Sequence, residues 1–153
     1  MALDLTKDLP RSPFDELDGY VWLPRMIDKA RAFAAGTHGD YTAYPCPGDK
    51  RFLGHFGVDP AAFFAEVKAG RSDEELVAWV TQHAKTATAE HKAALRRSYF
   101  TPPSNIGMRM AVWVYRKKYQ GAILAKTPDI QLEALDTFPK ITAAEEGHAI
   151  PSA

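Results

Sequence analysis

The sequence predicts a mainly α fold: a single compact multi-helix domain with an extended N-terminal arm and a Pro-Cys-Pro loop. Three observations predict it. Apolar residues recur at three- and four-residue steps along most of the chain. Helix-starting and helix-stopping residues bracket those segments. No two adjacent runs alternate like strands across a hairpin turn. The division expected is an arm over residues 1–19, one helical domain over 20–147 and a tail over 148–153.

In the arm, Pro10 and Pro13 break helical structure and Asp18-Gly19 signals a turn. Leu3, Leu5, Leu9 and Phe14 are expected to lie across the domain surface. The first helix is predicted from Leu23 to Ala35. Pro24 suits its first turn, and Gly36 suits the position just past its end. Leu23, Met26, Ile27, Ala30, Phe33 and Ala34 make its apolar face, which leaves Arg25, Asp28, Lys29 and Arg31 largely outside that face.

Gly36-Thr37-His38-Gly39-Asp40 reads as a loop. Pro45 and Pro47 force Tyr44 and Cys46 into extended backbone. A short helix is predicted from Asp49 to Phe56, closed by Gly57. Asp59-Pro60 pairs a capping acid with a first-turn proline, and Ser72 and Glu75 stand at capping-box spacing. Residues 59–84 therefore read as a helical hairpin. Thr88 opens a helix to about Phe100, which Pro102-Pro103 stops. A further helix to about Tyr119 carries Met108, Met110, Val112, Trp113, Val114 and Tyr115, and that apolar breadth predicts a central helix. Thr127-Pro128-Asp129 starts another helix, and Thr142 caps a last short turn.

Composition narrows the function. At 153 residues the chain suits one domain. Nineteen basic residues balance nineteen acidic ones, so no long-range field draws in nucleic acid or an anionic membrane. Neither partner is expected. The single cysteine excludes an intrachain disulfide and fits a reducing, cytoplasmic compartment. The N-terminus has no apolar h-region, and the run Ala111–Tyr115 is far short of a membrane span.

The densest chemistry is Tyr44-Pro45-Cys46-Pro47-Gly48-Asp49. A thiolate is a nucleophile when a base, a cation or a helix N-terminus favours it. Cys46 is therefore the candidate nucleophile or acid/base, with Asp49 and His55 as its catalytic partners. The competing reading makes Cys46 a small buried residue and Asp49 a helix-capping acid. Arg25 and Lys29 would anchor an anionic group, since arginine takes carboxylates and phosphates bidentately. Against this, a charged helix face is ordinarily solvated. Trp22, Asp28, Tyr44 and Trp113 complete the ligand-binding set. His38, His55, His83, His91 and His148 contain no pair at the four-residue metal-ligand spacing, so no metal and no cofactor are expected.

Three stretches carry a resemblance: Asp8–Pro13 with Gly19-Tyr20-Val21, Leu23–Ala32, and Tyr44–Asp49 leading to Phe56-Gly57-Val58. The Gly70–Glu75 turn fits as well, and Asp136–Gly147 resembles a divergent closing segment. Together they resemble a family of small bacterial proteins, the domain-of-unknown-function family numbered 5069. The resemblance implies that Arg25, Asp28, Lys29, Cys46 and Asp49 belong to the family pattern, and it implies no activity. Two readings follow. The first is a small-molecule-binding helical protein, with or without enzymatic activity, that holds a small anionic ligand near Cys46. The second is a non-enzymatic adaptor or homo-oligomer joined through an apolar groove or through the N-terminal arm.

Overall fold

A computed structural model describes residues 3–13, 15–39 and 41–100, together with residues 106 and 110. It is mainly helical. Among the described residues a two-stranded antiparallel hairpin, β1 (Glu16–Leu17) and β2 (Tyr20–Val21), precedes five helices. These are α1 (Leu23–Ala35), α2 (Pro47–Phe56), α3 (Pro60–Lys68), α4 (Asp73–His83) and α5 (Ala89–Phe100).

The hairpin departs from the sequence expectation. Its register pairs Glu16 with Val21 and Leu17 with Tyr20. Asp18 (φ 48°) and Gly19 (φ 76°) are both left-handed, which is the turn that Asp-Gly favours. Strands of two residues are too short to show alternation. The turn itself is held from α5, where the Lys92 ammonium meets the Asp18 carbonyl at 2.7 Å and its carboxylate at 2.9 Å.

The arm is not extended throughout. The backbone turns over Asp4–Asp8, with the Asp8 N–H bonded to the Asp4 carbonyl. The arm then folds onto its own chain. Leu5 is buried with Ala32 and Tyr41, and Leu3 and Leu9 pack against them. Arg11 clamps the arm to α1 and α4. It bonds both carboxylate oxygens of Asp28 (2.8 and 3.0 Å) and one of Asp73 (2.7 Å). Arg31 takes the other Asp73 oxygen at 2.7 Å.

The helix caps explain most boundaries. α1 has Pro24 at its start, and Gly36 at its end is left-handed (φ 72°). α2 begins two residues earlier than expected because Cys46 is its N-cap and Pro47 its first residue. Asp59 accepts the Ala62 N–H, and Ser72 and Glu75 form the reciprocal capping box.

The main core joins Tyr20–Leu23, Met26, Ile27 and Ala30 to apolar residues of α2, α3, α4 and α5. Among the described residues α1 is the central helix, covered on one side by this core and on another by the arm. Apart from residues 106 and 110, the helix expected to be central falls outside the described residues, as do the segments predicted after it.

Candidate functional site

The site grows from the junction of β2, α1 and α2. Trp22 links the hairpin to α1 and is its N-cap, in left-handed backbone (φ 72°). That conformation costs a bulky side chain roughly 1–2 kcal/mol. Its side-chain contacts hold it there. The indole Nε1–H donates to Asp49 Oδ1 at 2.9 Å. The ring stacks on Tyr99 of α5, with centroids 5.3 Å apart. Gly48 lies so close to the indole that a Cβ there would overlap the ring at Cζ2.

Asp49 is completely buried. Its second oxygen, Oδ2, accepts the Cys46 N–H at 2.9 Å, while the Cys46 sulfur accepts the backbone N–H of Asp49. The two residues thus form a capping box in which a thiol stands where serine is usual. On α5, Tyr99 donates to the Gly48 carbonyl at 2.7 Å. Burial, then the Asp49 charge, pushes its phenol well above the usual tyrosine range. Cys46 is fully buried at the N-terminus of α2, where free N–H groups favour negative charge.

Two cationic side chains lie beside this node. Arg25 and Lys29 stand one turn apart on α1 and are 0% and 1% exposed. This departs from the competing expectation of a solvated charged face. The apolar stripe marks only one side of α1, and the arm covers more of it. The Arg25 guanidinium lies 5.8 Å from the Trp22 ring centroid and donates to the Arg11 carbonyl at 3.2 Å. The Lys29 ammonium lies 5.9 Å from the Tyr41 ring centroid.

Trp22, Arg25, Cys46 and Asp49 are thus joined by direct contacts, with Lys29 one turn further along α1. Other candidates go elsewhere. Asp28 is taken by Arg11 on both oxygens. Tyr44 turns to α3, stacking on Phe64 at 5.0 Å and donating to the Pro60 carbonyl at 2.9 Å. Burial and the nearby Asp49 and Asp59 charges raise its phenol as well. His55 is not brought to Cys46. The nine helical steps between them span roughly 14 Å, and its ring contacts His91 instead. Trp113 lies outside the described residues. Sequence reasoning missed Tyr99 and Tyr41, for which helix periodicity carries no site signal. An open groove lined by Leu17, Glu74, Val77, Ala78 and Thr81 lies on the α4 side of the hairpin, away from this node.

Among the described residues no group of three or more histidine, cysteine or acidic side chains is placed to hold a metal, and no helix is long and apolar enough to cross a membrane.

The chain belongs to the family described as Domain of unknown function (DUF5069), whose model matches residues 7–148. No curated protein matches it.

Proposed function

We propose that this protein binds a small anionic molecule beside the Trp22–Asp49 node, with Arg25 and Lys29 holding the anionic group. The observation that carries the reading is the complete burial of two cationic side chains one turn apart on α1. Lysine and arginine are almost never buried to that degree unless paired, and an anionic group is the partner that two neighbouring cations favour. Two features support it. The N-terminus of α2 adds donors that favour negative charge. The left-handed Trp22 stores strain next to the same place, and such strain clusters at ligand sites.

In this reading Cys46 and Asp49 position the node. Both Asp49 oxygens already accept hydrogen bonds, and the Cys46 sulfur completes a helix cap. The test is a thermal-shift screen of the full chain against phosphate and small mono- and dicarboxylates. At least one class is expected to raise Tm saturably, and Lys29→Met is expected to abolish that rise while circular dichroism shows the variant folded. A screen in which no anion raises Tm, or in which the variant responds equally, contradicts the reading.

One observation favours the adaptor alternative. Ile106 and Met110, four positions apart in sequence, are both helical and are 82% and 60% exposed. Exposed apolar side chains of this size suit contact with another protein or a second copy where they form part of a larger patch. Light scattering of wild type and Ile106→Glu tests it, and an unchanged monomer in both would remove it.

A further inference from the structure

α2 and α5 dock antiparallel. At one end of their contact Tyr99 donates to the Gly48 carbonyl, and Arg51 donates to the Ser98 carbonyl at 2.8 Å. At the other end two histidines face each other. The His55 and His91 rings stack at 4.0 Å with their planes 19° apart. The bonding is reciprocal: His55 Nε2 meets the His91 carbonyl at 2.9 Å, and His91 Nε2 meets the His55 carbonyl at 3.0 Å. A carbonyl only accepts, so both Nε2 atoms carry the hydrogen. Each neutral ring then takes any further proton at Nδ1.

We propose that the His55–His91 pair is a proton-sensitive clasp that sets how firmly α5 is held on α2. Through Tyr99 it also sets how firmly the Trp22–Asp49 node is closed. The first added proton leaves a cation stacked on a neutral ring, which the stack tolerates. The second places two cations face to face at this spacing. In the unfolded chain the rings charge independently. Charging both rings therefore opposes the stacked arrangement and loosens the contact between α2 and α5.

The surrounding charges do not cancel the effect. Arg51 on α2 lies over the Tyr99 ring at 5.0 Å. The Lys85 stem, in the loop before α5, runs beside Gly57. On α5, Lys92 is bound to Asp18 in the hairpin turn, and Glu90 precedes His91. Asp59, after α2, is engaged as the α3 cap. Phe56 meets both imidazoles edge-on and adds no charge. None of the described ion pairs reaches either ring.

The link from clasp to ligand rests on the proposed anion site, but the clasp itself is measured without ligand. Thermal unfolding of the full chain is followed from about pH 8 to about pH 5 in wild type, His55→Gln and His91→Gln. Glutamine keeps a side-chain donor and does not titrate. Wild type is expected to lose roughly 2–4 °C more in Tm than either variant. Amide exchange at Gly48–Lys50 is expected to quicken more in wild type than in the variants after correction for intrinsic rates. Parallel Tm curves overturn the clasp, and unchanged relative exchange overturns its reach to the node. Nitrogen NMR of the wild-type imidazoles decides the matter if the variants fail to fold. Two Nε2–H tautomers at about pH 8 are required, and an Nδ1–H tautomer on either ring overturns the proposal.

Discussion

The Trp22 indole donates to the Asp49 carboxylate at 2.9 Å across 27 positions of sequence. This bond ties the entry of α1 to the first turn of α2. The other Asp49 oxygen closes the cap on Cys46, so one buried acid fixes two helix starts. Asp49→Ala leaves the indole N–H and the Cys46 N–H buried without an acceptor. A loss of about 2–4 kcal/mol is expected in urea unfolding. Asp49→Asn is expected to be destabilised too, because its amide NH2 must face one of the two donors. A loss below about 0.5 kcal/mol for Asp49→Ala, the size of an ordinary surface change, contradicts this role.

Gly48→Ala tests the packing beneath that bond. The added Cβ would overlap the Trp22 ring, which is clamped between Asp49 and Tyr99 and has little room to give. Overpacking of this kind costs about 1–3 kcal/mol. The tryptophan emission should shift as well. A variant as stable as wild type, with unchanged emission, would show that the ring moves freely.

The Arg11 clamp predicts a pH dependence. Burial pushes the Asp73 carboxyl up, but hydrogen bonds and charge from Arg11 and Arg31 outweigh it and hold it below its ordinary value. A depressed folded-state pKa adds stability that is present above the unfolded value of about 3.9 and is lost as pH falls below it. In Arg11→Met the acid limb of the stability profile should flatten. The arm should also lose amide-exchange protection at Leu5, whose N–H bonds the Thr37 carbonyl. An acid limb identical to wild type would remove the clamp as its source.

Much of the fold was legible because it is written locally. Pro24 and Gly36 bracket α1, and Ser72 with Glu75 starts α4, each through bonds made within a few residues. The site was legible only in part. Cys46, Asp49, Trp22 and Arg25 do come together, but their contacts span long stretches of chain that periodicity does not measure. Arg25 and Lys29 lie outside the one apolar stripe that the sequence shows, yet α1 is covered on more than one side and both are buried. His55 is near Cys46 in sequence only, and the helix between them holds them apart. The left-handed backbone of Trp22 has no local signal, since nothing about tryptophan favours it.

Titration calorimetry measures the proposed anion site itself. The anion giving the largest thermal shift is titrated into the full wild-type chain and into Lys29→Met. One site per chain is expected in wild type, with an affinity at least tenfold lower in the variant, a difference of about 1.4 kcal/mol. Equal affinity in the two proteins, or no binding by wild type, would contradict an anion held by the buried cations of α1.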